Sequence, residues 1–350
     1  MPGYQPTPLV ELPQLATELG LGTVLVKDES SRLGLPAFKM LGASWAVCRA
    51  VSARAPSVPV PGTLDELRSL RSHVGPITLV TATDGNHGRA VARMARLIEA
   101  DAHIFVPAVA GRAAGALIMG EEAEVTVVED SYDETVRCAA RFADDVQAIL
   151  VQDTAWPGYE QLPQWIVDGY ATLFQELEHQ VAAVAADPVG LITVPTGVGS
   201  LAQAAVASVR SSSRPSVALL AVEPESAACV LTSLTSGRLT TVGTGATNMA
   251  GLNCGTPSSI AWPFLVQGLD AAICVSDREA EIASSDLALA GVSAGACGAA
   301  SLAALRAALL TDGGDRRRRQ LALTPASTVV LLNTEGAGPA PKPDSPGAPA

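Results

Sequence analysis

The amino-acid sequence predicts an α/β protein built on doubly wound parallel sheets, with helices on both faces. Three observations carry this. Short apolar runs alternate with helical patterns along the chain, the apolar content is aliphatic and not aromatic, and a proline-rich break sets one block of runs apart. The 350 residues are enough for two cores of ordinary domain size.

In chain order the runs are VLV (24–26), ITLVTA (77–82), HIFVP (103–107), EVTVVE (124–129), AILVQ (148–152), GLITVP (190–195), VALLAVEP (217–224) and TVVLLNT (328–334). Helical patterns lie at about 40–54, 86–99, 133–145, 160–178 and 200–210. A continuous apolar run belongs to a strand buried on both faces, whereas an alternating one leaves a face wet. Composition agrees: 48% of residues are hydrophobic and 4% aromatic, so Ala, Val, Leu and Gly fill the core. With 17% charged residues the chain is globular and not disordered.

The break is APSVPVPGT (55–63). It predicts a small domain over 75–153, a connector over 54–74, and a large domain shared by 1–53 and 154–337. The Pro/Gly-rich end, 338–350, reads as a disordered tail, and no internal repeat is visible.

A net charge of −12 argues against nucleic acid, which calls for a basic footprint. The basic run Arg316–Arg319 reads as a charged connector before the last strand. Residues 287–305 carry no charge but are mostly Ala, Gly and Ser, so they predict a buried helix and no membrane association. The N-terminus lacks the pattern of a signal peptide. Six cysteines without CxxC or metal-ligand spacing read as reduced thiols in a cytoplasmic protein, with a Cys229–Cys254 bridge left open.

Open α/β sheets bind ligands beyond the carboxyl ends of their strands, and four polar clusters fall there. In KDESSRLGLPAFKMLGAS (27–44), Lys39 stands among Phe38, Met40 and Leu41. Such a lysine is partly desolvated, which lowers its pKa and frees the amine for covalent chemistry, or else it snorkels from a surface helix. In VPTGVGS (194–200), Gly197, Gly199 and Ser200 open a helix and free amides for one anion, or simply make a tight turn. In TATDGNHG (81–88), Asp84 is either a functional carboxylate or a solvated turn residue or helix cap, and His87 is either functional or a core histidine. In VVLLNTEGA (329–337), the strand-end hydroxyl of Thr334 meets a ring nitrogen or caps a turn. A nucleophilic lysine, an anion nest, an Asn-bearing turn and a hydroxyl together make the set that pyridoxal 5′-phosphate requires.

Long motifs carry a resemblance over nearly the whole chain, from YQPTPLVELPQLA (4–16) to LLNTEG (331–336). Besides the lysine, TATDGNHG and PTGVGSLAQA (195–204) stretches, they include YDETVRCA (132–139), VQDTAWPGYEQLPQWIVDGYATLFQE (151–176) and MAGLNCGTPSSIAW (249–262). The sequence resembles the fold-type II pyridoxal-phosphate enzymes, and among them the diaminopropionate ammonia-lyases. The resemblance implies two α/β domains with the cofactor in the cleft between them, a small amino-acid substrate and a homodimer.

Residue by residue, it implies that Lys39 holds the cofactor, Asn86 bonds its phenolic oxygen and Thr334 meets its pyridine nitrogen. Thr196, Gly197, Val198, Gly199 and Ser200 would surround the phosphate, mainly through backbone amides. Asp84 and Asp153 would flank the cofactor and divide the two substrate enantiomers between them, with Lys39 sharing the catalytic proton transfers. Thr83, Asn86 and His87 would help to hold the substrate carboxylate. The implied reaction is the α,β-elimination of 2,3-diaminopropionate, D or L, to pyruvate and two ammonia.

Three departures stand beside the resemblance. Where the family reads a GES-type turn this chain has SAGACGAA (293–300), so Ala296 leaves a glutamate missing near the cofactor. The ending after TEG is altered, and little precedes the PTPL stretch. An alternative therefore stays open: β-elimination or β-replacement on another β-substituted amino acid, such as serine, threonine or an activated derivative. A cofactor-binding protein without turnover is the reading from another class.

Overall fold

The computed structural model describes residues 1–184, 188–211 and 217–338. Its strands are β1 (Leu9–Glu11), β2 (Thr23–Asp28), β3 (Thr78–Ala82), β4 (Asp101–Pro107), β5 (Glu124–Val128), β6 (Ile149–Leu150), β7 (Val189–Pro195), β8 (Ala218–Pro224), β9 (Ala271–Val275) and β10 (Thr328–Asn333). They form two sheets, a six-stranded one in the order β1-β2-β10-β7-β8-β9 and a four-stranded one in the order β5-β4-β3-β6. Every pairing is parallel except β1 with β2. The helices are α1 (Pro13–Leu19), α2 (Lys39–Ala53), α3 (Leu64–Val74), α4 (Asn86–Leu97), α5 (Gly111–Met119), α6 (Tyr132–Asp145), α7 (Gln161–Val184), α8 (Ser200–Arg210), α9 (Cys229–Ser236), α10 (Trp262–Gly268), α11 (Asp277–Leu289), α12 (Ala296–Leu310) and α13 (Gly314–Gln320).

All eight apolar runs are strands. β8 and β10 are buried at every position, as helices on both faces require. β10 lies between β2 and β7, pairing Val330 with Leu25 and Ile192, so the last strand of the chain sits inside the large sheet. Its carboxyl end continues as Thr334–Gly336 alongside Pro36–Phe38: Phe38 N donates to Thr334 O and Gly336 N to Pro36 O. That pairing sets the start of α2, and with it Lys39.

Two strands lay outside the sequence prediction, and both are edges. β1 has three residues, too few to show a period, and β9 (AAICV) is half-buried with two alanines that carry little strand preference. The connector 54–74 needs correction. Its second half is α3, capped by the Thr63 hydroxyl, which accepts from Glu66 N at 3.2 Å, and it buries Leu64, Leu67 and Leu70 against the core. The uncharged stretch 287–305 becomes the end of α11 and most of α12, and among the described residues no helix is long and apolar enough to cross a membrane. From 339 onward the proline-rich end lies outside the described residues.

The arginine run is α13, and its charges serve helix ends. Arg317 donates to the carbonyls of Ala307, Ala308 and Thr311 at the end of α12, and Arg318 to those of Leu19 and Gly20 at the end of α1. These are terminal carbonyls without helical partners, where a cation also meets the negative end of the dipole.

One apolar core spans both sheets, because α2 packs on α4 from the small sheet and on α7 from the large one. The α2–α7 contact is close: a Cβ on Gly42 would lie 2.6 Å from the Tyr170 ring, and one on Gly169 2.5 Å from Leu41 O. Beside it a buried ionic cluster ties the N-terminal segment down. Glu176 accepts from Lys27 Nζ at 2.7 Å, from Arg32 at 2.7 and 2.8 Å, and from Tyr4 Oη at 2.6 Å, while Arg32 also reaches Glu29 at 2.6 Å. Deleting one member leaves an opposite charge buried without its partner. Glu176→Ala is therefore expected to lose about 3–5 kcal/mol of unfolding free energy in denaturant at neutral pH. A loss below about 1 kcal/mol would mean that the cluster is not the clamp described here.

Candidate active site

The carboxyl ends of β3, β6, β7 and β10 face one cleft of about 380 Å³. Every residue singled out from the sequence lines it: Lys39, Thr83, Asp84, Asn86, His87, Asp153, Thr196–Ser200 and Thr334. The clusters of 27–44, 81–88, 194–200 and 329–337 thus meet at one place, as the parallel topology requires.

The 195–200 turn is built to hold an anion. Thr196 is closed to a ligand at both backbone and hydroxyl, since its N donates to Val222 O and its Oγ1 to Val194 O, each at 2.8 Å. That anchors the turn. The amides of Gly197, Val198, Gly199 and Ser200 donate to no described residue and lead into the N-terminus of α8. Gly199 has φ +96°, and a Cβ there would come within 2.8 Å of Leu265 Cδ1. The Ser200 hydroxyl donates instead to Asp153 O at 2.7 Å, coupling the turn to the aspartate strand.

Of the two readings left open for Asp84, the helix cap falls away, because the 83–88 turn is capped by Thr83. Thr83 Oγ1 accepts from Gly85 N at 2.9 Å and Gly88 N at 3.0 Å, so Thr83 closes the first turn of α4 and Asp84 does not. Gly88 must be glycine, because a Cβ would lie 2.2 Å from Thr83 Cγ2. Relieved of capping, the Asp84 side chain takes no hydrogen bond from any described residue and faces the cleft. The amides of Asn86 and His87 are likewise open to a carboxylate at the helix N-terminus. The His87 ring is spent elsewhere: Nε2 bonds Val151 O at 2.7 Å, and Nδ1, which lacks a hydrogen-bond partner, lies 3.9 Å from Asp153 Oδ2. Burial pulls the His87 pKa down, so the ring is neutral and donates through Nε2. Toward a substrate carboxylate His87 therefore offers its amide and not its ring.

Lys39 requires a correction. Burial alone would depress its amine, as expected from its apolar neighbours, but Asp153 Oδ2 accepts from Nζ at 2.7 Å and holds the pKa above the ordinary lysine range. In the cofactor-free protein Lys39 is an ammonium. The same pairing overcomes burial at Asp153, whose carboxyl is held down at about 2. Asp84 goes the other way. Burial, with the Asp153 charge beside it, pushes its carboxyl up to about 7, despite some relief from Lys39. The two aspartates therefore differ in charge near neutrality.

Sequence reasoning missed residues that matter. Glu335 follows Thr334 in the NTEG stretch and enters the cleft: its Oε2 accepts from Asn86 Nδ2 at 2.5 Å and its Oε1 from Cys297 N at 3.2 Å. Ala296 leaves the 295–297 turn without a carboxylate of its own, and Glu335 lies against that turn. An acid directly after a strand-end hydroxyl was the available signal. Gln152 binds Thr81 Oγ1 and Ala82 N through Oε1 and the Tyr132 hydroxyl through Nε2, joining β6 to β3 and placing Tyr132 at the cleft. Cys229 and Cys254 are free thiols here.

These residues fit pyridoxal phosphate. The open amides suit a phosphate dianion, Lys39 is the one lysine lining the cleft among the described residues, and Asn86 and the buried Thr334 hydroxyl complete the polar set. Comparison with known proteins agrees. Residues 1–335 match the family described as pyridoxal-phosphate dependent enzyme. The chain is 33% identical over 345 residues to the diaminopropionate ammonia-lyase of Escherichia coli strain K12, covering 95% of this chain and 85% of that one. The Escherichia coli diaminopropionate ammonia lyase in complex with D-serine superposes with a TM-score of 0.89 at 32% identity, over 96% of this chain and 86% of that one. The same enzyme in complex with an aminoacrylate-PLP azomethine reaction intermediate gives a TM-score of 0.84 at 32% identity, over 96% and 85%.

The raised Asp84 carboxyl makes stability depend on pH. A folded pKa above the unfolded one stabilises below the unfolded value of about 4, and that contribution is lost as pH rises through about 7. Asp84→Asn removes this dependence. In thermal melts of the cofactor-free protein, the variant is expected to gain several degrees on the wild type between pH 5 and pH 8.5. A difference in Tm that stays constant over that range would contradict the assignment.

Proposed function

The chain belongs to the pyridoxal-phosphate dependent enzymes, and on that premise we propose that it eliminates ammonia from 2,3-diaminopropionate, as D or L enantiomer, to give pyruvate and two ammonia. The observation that carries this is the Asp84 carboxyl, free of protein partners and set beside the Lys39–Asp153 pair. A hydroxy-amino acid would have little use for a second carboxylate at that position. A substrate with a second amine meets a partner for it.

When bound, pyridoxal phosphate supplies an electron sink joined to the substrate's amino nitrogen, which lets the Cα–H and Cβ–N bonds break. Lys39 would hold it, the amides of 197–200 with the α8 dipole would take the phosphate, Asn86 the phenolic oxygen and Thr334 the pyridine nitrogen. The neutral Thr334 hydroxyl would leave that nitrogen largely unprotonated, which would favour elimination over transamination. The amides of Asn86 and His87 orient the α-carboxylate, with Thr83 holding their turn in shape. Asp153 keeps Lys39 Nζ in place, and the Lys39 amine, once the substrate has displaced it from the cofactor, would be the base on its side of the substrate. Asp84, with its carboxyl near neutrality, accepts the Cα proton of the opposite enantiomer or keeps the β-amine protonated. Ammonia departs readily only from a protonated amine, so a carboxyl beside Cβ promotes the step.

The two sheets support two bodies, 1–53 with 154–337 and 75–153, closing over the substrate to keep water from the reacting centre. Free thiols throughout support a reducing compartment, the cytoplasm. Family resemblance supports a homodimer.

Assays of the purified, cofactor-loaded protein with both diaminopropionate enantiomers and serine test the reading. Pyruvate and ammonia are expected in a ratio near one to two, with diaminopropionate preferred. Ammonia without pyruvate, or faster turnover of serine, would refute it. Lys39→Ala is expected to lose both activity and the near-visible absorbance of the bound cofactor. Asp84→Asn and Asp153→Asn are each expected to cost about 10²–10⁴-fold, with opposite enantiomers hit harder. Equal losses on both enantiomers would refute the division of labour.

A further inference from the structure

The Glu335 carboxylate joins the two sides of the cleft. Its backbone is fixed on two sides, by a bridge to Ala37 and by Gly295 N, which donates to its carbonyl at 3.0 Å. Its Oε1 sits at the start of α12, where Gly295 is the cap residue and has no side chain to offer. There Cys297 N donates to it at the end of the helix that favours negative charge. A Cβ on Gly295 would lie 2.7 Å from that oxygen, so the turn leaves room for the carboxylate only because residue 295 is glycine. The other oxygen, Oε2, crosses to Asn86 at the first residue of α4 and accepts from Nδ2 at 2.5 Å. The two residues are 249 positions apart and follow strands of different sheets, β3 and β10.

We propose that Glu335 is the positioning residue for Asn86. A primary carboxamide has two N–H donors and a carbonyl, and it can flip between two nearly equivalent orientations. A carboxylate held by α12 takes one N–H through a charge-assisted bond and fixes the nitrogen on the cleft side. The second N–H is then committed to the ring oxygen of the cofactor. Glu335 touches neither substrate nor cofactor in this role; it acts through Asn86. The inference rests on the assignment of Asn86 to that oxygen.

A double-mutant cycle on cofactor binding tests it. Cofactor-free wild type, Glu335→Gln, Glu335→Ala, Asn86→Ala and the double Glu335→Ala/Asn86→Ala are titrated with pyridoxal phosphate. Tryptophan fluorescence gives Kd, and the absorbance maximum is recorded in parallel. Glu335→Ala is expected to raise Kd about tenfold and to displace the absorbance maximum. Glu335→Gln, which can still accept through its carbonyl, is expected to recover part of the affinity and the wild-type maximum. The double variant is expected to bind no worse than Asn86→Ala alone. Losses that multiply in the double variant would overturn the proposal, as would an unchanged maximum in Glu335→Ala. If Asn86→Ala itself binds like wild type, the assignment of Asn86 to the ring oxygen fails first, and that outcome is separate from the others.

Discussion

The cleft is organised around the ion pair between Lys39 and Asp153. Its 2.7 Å contact is largely out of solvent, with the side chains 19% and 8% exposed, so neither charge is stable there alone. The partners come from distant parts of the chain, Lys39 from the start of α2 and Asp153 from the segment after β6. Asp153 is in turn held by the Ser200 hydroxyl at the mouth of the anion nest and lies against the His87 ring. One pair thus fixes the lysine, the nest and the 83–88 turn relative to each other. It also acts on the third group. Burial, joined by the negative charge that Asp153 keeps, pushes Asp84 toward neutrality. Two like residues in one cleft are driven apart in proton affinity, which is how a single site can hold both an acid and a base near neutral pH.

The fold makes this possible through connectivity. Parallel strands send every carboxyl end to the same side, and β10, inside the large sheet, brings Asn333, Thr334 and Glu335 there last of all. Asn333 is used structurally: its Nδ2 donates to Asp28 Oδ1 and Ser293 O, tying β2 to the turn before α12. Thr334 and Glu335 are left for the cleft. The core shared by α2, α4 and α7 packs the two sheets together.

Much of this was legible in the sequence because it depends on local patterns. Runs such as VALLAVEP and TVVLLNT announce strands covered on both faces, and the polar turns after LITVP and VVLLN announce the site. The edges β1 and β9 were not legible, since edge strands carry neither a long run nor a clear alternation. The amphipathic LDELRSLRSHV of α3 was readable but lay hidden beside the proline-rich break. The residues expected at the site come together in one cleft, but their protonation states were not legible. The proton on Lys39 depends on Asp153, 114 residues away, and apolar neighbours alone suggested the opposite shift. Thr83 and not Asp84 caps α4 because of backbone geometry that spacing does not encode. Glu335 stood in plain view in NTEG, but its partner Asn86 could be found only in three dimensions.

The central claim is that Lys39, held at Asp153, is where the cofactor attaches. The chain has three lysines, Lys27, Lys39 and Lys342, which makes the test unusually direct. The cofactor-loaded protein is treated with borohydride to render the link permanent, then digested and mapped by mass spectrometry. The cofactor's mass is expected on the peptide carrying Lys39 and on no other. Label on the Lys27 or Lys342 peptide, with Lys39 unmodified, would contradict it.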